Sequence, residues 1–284
     1  RAQASIDIKY QKNPENIGMS GNFLKVVEMA DGEFVWLLGD DDLLMPYALE
    51  RLDGLIGEHP DVDFFYVNSY VLAAEFVLSF PQPFDTANLP KKMKPFSSWP
   101  YSGEMEFMDL VDPKISHDFL GGIFLSVFRR ENWRKNVDAL VELAIKDPRP
   151  FSYFDNTFPH VKIFSQAFAS SKAFFYENPL SICLSGVREW VPLWHLVRSV
   201  RLVEALEEYR KNGLPFFRYL RCKNIALQSF IPAMVWMVIH RKDSGFTYIN
   251  PLKLFLANCL YPNFYLSPFI YVFRKLKLKF KKRD

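Results

Sequence analysis

Glu33-Phe34-Val35-Trp36-Leu37-Leu38-Gly39-Asp40-Asp41-Asp42 is the stretch on which the reading of this chain turns. Phe34 to Leu38 is apolar without interruption and stops at a glycine, the pattern of a strand buried on both faces of an α/β sheet. Carboxylates directly after such a strand fall at the carboxyl edge of the sheet, where open α/β folds bind ligands. Three adjacent carboxylates repel one another unless something positive compensates them. One reading has them cap the helix that begins near Pro46, since free N–H groups at a helix start favour acidic residues. The other has them gather a hard divalent ion, Mg²⁺ or Mn²⁺, which takes few protein carboxylates and fills its remaining positions with phosphate oxygens. The strand before the triplet, the glycine and the Leu43-Leu44-Met45-Pro46 after it favour the ion. Such an ion suits a reaction that expels a diphosphate, because it neutralises charge as the bond breaks.

Around this stretch the chain alternates strand and helix. Ile6, Ile8 and Tyr10 alternate as in a strand, and Asn13-Pro14-Glu15-Asn16 is a turn cluster. Phe23, Val26, Val27 and Ala30 have helical spacing, ended by Asp31-Gly32. Ala48, Leu49, Leu52, Leu55 and Ile56 give a second helix its apolar face, and Val62 to Val71 reads as the next buried strand. That order implies a right-handed α/β arrangement. Ser79 to Pro100 lacks periodicity and reads as a long functional loop. Phe119 to Phe128 reads as a strand, 137–145 and 157–168 as helices, and 173–176 and 180–184 as short strands. Beyond Pro192 two long helices follow, 193–209 and 216–240. The expected division is an α/β catalytic domain over residues 1–190 and a helical region over 191–284.

Three blocks occur in order: Asn16-Ile17-Gly18-Met19-Ser20-Gly21-Asn22, then Ala30-Asp31-Gly32-Glu33-Phe34-Val35, then Leu38-Gly39-Asp40-Asp41-Asp42. Together they resemble family 2 glycosyltransferases of the GT-A fold, in particular the branch of O-antigen abequosyltransferases and related bacterial polysaccharide enzymes. The resemblance is clear over roughly residues 10–70 and weaker to about 190. It implies a Rossmann-like, mixed and mostly parallel sheet flanked by helices, with its first part lying upstream of Arg1. It also implies that Asp42 and Asp40 hold Mn²⁺ or Mg²⁺ through the donor diphosphate, with Asp41 beside the ribose or the metal shell. Asn16, Gly18 and Asn22 would line the nucleotide pocket, and Gly39 stands where many relatives have Asp.

The same resemblance places Gly121 and Gly122 on an acceptor-side strand, where small residues admit a sugar, although plain strand packing explains them equally well. Asp155 falls where relatives carry the catalytic base that takes the acceptor hydroxyl proton, with Phe154 in place of the usual Glu; Asp155 also suits a helix N-cap. His160 reads as structural. Arg188 is similar to the arginine of an Arg–Trp motif that closes over the donor diphosphate, a surface salt bridge being the alternative, and Trp190 would face the acceptor. The implied activity is inverting transfer from a nucleotide-diphosphate sugar to a saccharide hydroxyl in bacterial surface polysaccharide synthesis. A nucleotidyltransferase of similar fold and an inactive membrane-associated scaffold are the competing readings. The first usually needs a Gly-rich, basic phosphate loop, which no stretch of this chain supplies.

Composition bounds the partners. Hydrophobic residues make up 49% of the chain and aromatics 17%, enough to fill a large core and leave aromatic surface for a sugar or lipid. Arg274 to Asp284 hold seven of the 35 Lys and Arg and one Asp, so the other 273 residues are net acidic by three charges. Nucleic acid is therefore not the expected partner. Leu254 to Phe273 carries no formal charge and is interrupted by Pro262 and Pro268, which suits helical pieces lying in a membrane interface. With the basic tail beyond it, the expected location is peripheral, on the cytoplasmic face of an anionic plasma membrane, next to a lipid-linked acceptor. Cys183, Cys222 and Cys259 lack metal-ligand spacing and suit a reducing compartment.

Overall fold

Phenylalanine-rich strands meeting face to face with aromatic helices make the centre of the molecule. The computed structural model describes residues 8–186 and 190–281. In chain order it holds α1 (Gly18–Met29), β1 (Phe34–Trp36), β2 (Leu43–Leu44), α2 (Ala48–Glu58), β3 (Phe64–Ala73), α3 (Ala74–Leu78), β4 (Lys94–Pro95) and β5 (Gly103–Glu106). Then follow β6 (Ser126–Arg129), α4 (Arg130–Arg134), α5 (Glu142–Ile145), α6 (Pro159–Ala167), β7 (Lys172–Ser185) and α7 (Trp194–Leu196). A π-helical turn (Val197–Arg201) leads into α8 (Leu202–Lys211), followed by α9 (Phe216–Ala226), α10 (Phe230–Ile239), α11 (Pro251–Asn258) and α12 (Pro262–Lys281).

The described strands form one seven-stranded mixed sheet in the order β1-β6-β3-β7-β2, with β4 on β3 and β5 on β7. Helices flank it, as the chain order implied. The parallel ladder is β3–β7, running from Phe64 opposite Ala173 to Ala73 opposite Ser185. β1 and β3 are each antiparallel to β6, so β1, β3 and β7 all point the same way. The register of β3–β7 slips between Val67 and Ser69, and Asn68 fills the slip. Its Nδ2 donates to the carbonyls of Glu177 and Ser97, and its Oδ1 accepts from the N–H groups of Ser69 and Ser97. A buried amide is stable only with such full satisfaction.

Several local expectations are corrected. The strand read through Ile6, Ile8 and Tyr10 is absent over its described part, where Ile8 and Tyr10 are exposed and unpaired in any sheet; residue 6 lies outside the described residues. Period-2 apolar spacing makes a strand only where a partner strand is present. The strand expected over 119–128 is confined to β6, and Gly121-Gly122 lie in a turn before it. The two short strands near 173–184 are one 14-residue strand, because Asn68 accommodates Glu177-Asn178-Pro179 as an irregularity and not a turn.

The main core packs Phe64 against Phe107, Phe164 and Phe168 with ring centroids 4.9–5.3 Å apart, all edge-on. Residues on both sides of position 190 share this core, since Ala205, Leu206, Tyr209, Leu214 and Cys222 join it from α8, α9 and the segment between them. Lys223, buried on α9, is neutralised by Glu207 at 2.6 Å and also donates to Tyr219 Oη. Pro268 sits inside α12, where it cannot donate to the carbonyl of Phe264; the Ser267 hydroxyl donates there instead, at 2.8 Å. One helical run, Phe216–Ile239, is long and apolar enough by length and composition to cross a membrane. Its Tyr219, Cys222, Lys223, Leu227, Phe230, Ala233 and Met237 are nonetheless buried within the fold. The 254–273 segment is divided between α11 and α12.

Phe64→Ala removes a fully buried ring with three aromatic neighbours, and a loss of about 4 kcal/mol in unfolding free energy is expected from such truncations. The urea midpoint of the variant against the parent protein measures it; a change below roughly 1 kcal/mol would contradict this account of the core.

Candidate active site

The strand order places β1 and β2 at opposite ends of one row, so residues 37–42 carry the chain across β6, β3 and β7. The acidic run lies on that crossing. Asp40 and Asp41 are exposed and Asp42 is half-buried. Asp42 closes a turn through its N–H to the carbonyl of Gly39, and its Oδ1 accepts from Leu184 N–H on β7. The helix-cap reading fails on geometry, because β2 intervenes, α2 begins only at Ala48, and no side chain caps its start.

Gly39 shows what the run is shaped for. A Cβ placed there would stand 2.5 Å from Asp41 Oδ1 and 3.4 Å from Asp42 Oδ2. Both carboxylates therefore fold over the bare Cα, in a space that any other residue would fill. Asp40, expected as a ligand with Asp42, is the exposed residue between Gly39 and Asp41. Among the described residues no three His, Cys, Asp or Glu side chains gather as a metal-ligand set. Two converging carboxylates with substrate phosphate oxygens are the arrangement Mg²⁺-type ions use, so the residues fit such an ion.

Beside the run opens a cleft of about 710 Å³, lined by Val71 of β3 and Cys183, Ser185 and Gly186 at the end of β7. Gly121, Gly122 and Trp190, all expected on the acceptor side, line it together. Gly121 and Gly122 are required for space: a Cβ on Gly121 would lie 3.0 Å from the Asp118 carbonyl oxygen, and on Gly122 2.9 Å from the Phe124 ring. Trp190 stacks on Trp194 at 5.7 Å and meets Phe151 edge-on. Of the donor-side residues, Asn16 accepts from Gly18 N–H at the start of α1, Gly18 takes a positive φ of 70°, and Asn22 accepts from Asn13. All three are exposed, and α1 reaches the cleft through Met19 and Phe23 instead. Arg188 lies outside the described residues.

Asp155 does not line the cleft. Its carboxylate is buried, accepts from Lys162 Nζ at 2.9 and 2.7 Å and takes the Val141 N–H at 2.7 Å. It does not cap α6 either, whose first residue follows Phe158 without a side-chain cap. The carboxylate that does face the cleft is Asp118, which sequence reasoning passed over. It stands at the start of a turn in which Phe119 and Leu120 both hold positive φ, 51° and 65°. Two consecutive bulky residues in that region cost on the order of 1–3 kcal/mol each and persist only where surroundings enforce them.

The enforcement is visible. Ser116 Oγ donates to Asp118 Oδ1 and accepts from Leu120 N–H, while Gly122 N–H donates to Asp118 Oδ2 at 2.7 Å. Tyr209 Oη donates to the Phe119 carbonyl, and His160 Nε2 donates to that of Gly121 at 3.0 Å. Burial pushes the His160 imidazole down to about 4, so it is neutral and its Nδ1 has no partner among the described residues. The one sequence signal for this turn was the glycine pair.

Residues 1–121, which hold the acidic run, Asp118 and Gly121, match the family model for glycosyl transferase family 2. The match indicates glycosyltransferase activity. No match to the chain is found among curated proteins.

His160 gives this turn a pH dependence. Its folded value near 4 lies below the ordinary 6.5, so the unfolded chain binds a proton that the folded chain refuses between those values. Stability contributed by neutral His160 is full above about pH 6.5 and falls as pH drops toward 4, by up to about 3 kcal/mol. In His160→Gln that part of the acid sensitivity should vanish; urea midpoints of both proteins at pH 7, 5.5 and 4.5 measure the difference.

Proposed function

We propose that the protein is an inverting, metal-dependent glycosyltransferase that moves a sugar from a nucleotide-diphosphate donor to a hydroxyl of a saccharide acceptor, in bacterial surface polysaccharide synthesis. The observation that carries this reading is the pair of carboxylates folded over Gly39 beside the cleft, within a domain matched to family 2. Asp42, with Asp40 and Asp41 beside it in the run, would hold Mn²⁺ or Mg²⁺. A bound ion supplies charge neutralisation for the departing diphosphate.

The remaining chemistry falls to the chain. Gly121 and Gly122 line the cleft and by lacking side chains leave room for Asp118 and Phe124, and the Trp190–Trp194 stack offers an aromatic face to an acceptor saccharide. Inversion needs a base on the acceptor side of the anomeric carbon. Asp118 is placed for that role: it faces the cleft, two donors fix its carboxylate, and the turn after it is rigid. Asp155 would then be a positioning residue, because its charge is taken up by Lys162.

The C-terminal helices support attachment to a membrane surface. Of 29 exposed large apolar side chains among the described residues, 16 lie between Phe216 and Leu276, far more than that quarter of the chain would hold by even distribution. Lys275 and Lys277 are exposed toward the end of α12, where each basic residue near anionic lipid contributes about 1 kcal/mol. A peripheral enzyme at the cytoplasmic face, meeting a lipid-linked acceptor, is the arrangement these features favour.

A donor screen on the protein, reading nucleoside diphosphate release with Mn²⁺ or Mg²⁺, tests the reading. Release of inorganic pyrophosphate instead would assign a nucleotidyltransferase. Gly39→Ala should fold normally, since Gly39 does not have a positive φ, yet displace the Asp41 carboxylate and weaken Mn²⁺-dependent nucleotide binding about tenfold or more. Asp42→Asn should abolish that binding. Asp118→Asn is expected to slow turnover by about 10²–10⁴-fold, measured below the variant's own melting temperature, which falls because the amide cannot accept from both Ser116 and Gly122. Asp155→Asn should instead cost about 3 kcal/mol of stability by leaving Lys162 unpaired. If Asp155→Asn keeps its stability and loses all turnover, the assignment of base and positioning residue is reversed.

A further inference from the structure

The C-terminal helices bring two guanidinium groups to the cleft, Arg198 of the π-helical turn and Arg274 of α12. Neither pairs with a carboxylate among the described residues. Arg198 stands over the Trp194 ring at 5.8 Å, and Arg274 donates to the Gln228 side-chain oxygen. Burial, and after it the charge of Arg274, lowers the Arg198 pKa from its ordinary value. Two like charges facing one apolar cleft are unfavourable by themselves and become favourable when an anion joins them. A guanidinium pair suits phosphate oxygens, which it binds in a planar fork.

We infer that Arg198 and Arg274 form a subsite for the phosphate or diphosphate of an amphiphilic acceptor, whose apolar chain runs along the cleft wall toward the exposed face of α12. This rests on the glycosyltransferase reading for the identity of the ligand as an acceptor. In that reading the donor diphosphate has its counter-charge in the ion held at the acidic run, none of whose aspartates lines the cleft, so the arginine pair within the cleft is left for a second anion. The wall between is apolar, with Phe151, Trp190, Trp194 and Val197 facing the cavity. α12 carries Arg274 into the cleft and leaves Phe269, Val272 and Phe273 exposed beside it. Charge and apolar surface thus meet on one helix, matching a ligand that has both.

The Trp190–Trp194 pair beside Arg198 offers an optical readout. Tryptophan fluorescence of the full chain is titrated with farnesyl diphosphate, farnesol, inorganic pyrophosphate and phosphatidylglycerol vesicles. Farnesyl diphosphate is expected to saturate at a concentration at least tenfold below farnesol and below pyrophosphate. Arg198→Gln and Arg274→Gln should each raise its apparent Kd tenfold or more, leave farnesol binding and melting temperature unchanged, and be partly rescued by Arg→Lys at the same position. Unaltered binding in both Gln variants overturns the subsite. So does pyrophosphate binding as tightly as farnesyl diphosphate, and so does equal arginine-dependent binding of the vesicles, which would assign the pair to bilayer headgroups. Mn²⁺-dependent nucleotide binding measured on the same samples separates the two readings. Its loss, with arginine-dependent farnesyl diphosphate binding kept, removes the donor assignment and leaves the anion subsite standing.

Discussion

The β3–β7 ladder is the interaction from which the rest of the molecule hangs. Every other described strand pairs with one of these two, or through β6 with β3. Their first halves bury the aromatic core, with Phe64, Phe65, Tyr66 and Phe175 fully enclosed. Their last residues, Val71 and Cys183 to Ser185, are the wall of the cleft. Core and site are therefore two ends of the same pair of strands, and the slip at Asn68 is the joint between them. Rigidity at the cleft comes from packing some residues away, since interiors this dense do not deform gradually.

On that frame the turn from Ser116 to Gly122 concentrates strain where a carboxylate is needed. A relaxed loop would hold Asp118 loosely and lose much of the advantage of fixed geometry. Here Tyr209 reaches the turn from α8 and His160 from α6, so helices on both sides of residue 190 hold a segment before it. The neutral state of His160 follows from its enclosure, which permits a hydrogen bond to Gly121 without placing a buried cation near Asp118.

Much of this was legible in chain order. Phe34 to Leu38 could only be a buried strand, and the acidic run after it could be placed at a sheet edge from local pattern alone. What escaped was long-range. Nothing in the order of residues shows that β6 inserts between β1 and β3, because antiparallel insertion depends on a partner 60 residues or more away. Glu177-Asn178-Pro179 reads as a turn until Asn68 is seen to satisfy it. Phe119 and Leu120 are poor candidates for positive φ by their own chemistry, so the turn that presents Asp118 was invisible even though its glycines were not. Asp155 is conspicuous as an acidic residue ahead of a helix, but its claim on Lys162 seven residues later appears only once α6 is formed.

The charges around the cleft are sorted in a way that composition hides. A net charge of +3 for the whole chain suggests near neutrality. In space, Asp41 and Asp42 fold over Gly39 beside the end of β7, while Arg198 and Arg274 reach the cleft from the C-terminal helices. A single small anion has no need of both. Two ligands are implied, one calling for a cation and the other for arginines, and an acceptor phosphate arriving at the carboxylates without a metal ion would be repelled there. Orientation would follow from that repulsion as much as from any attraction, and specificity of this kind requires the disfavoured arrangement to be costly. Apolar lining from Phe151, Trp190 and Trp194 strengthens the charged contacts made in the cleft, because charges beside low-dielectric material are screened far less than charges in water.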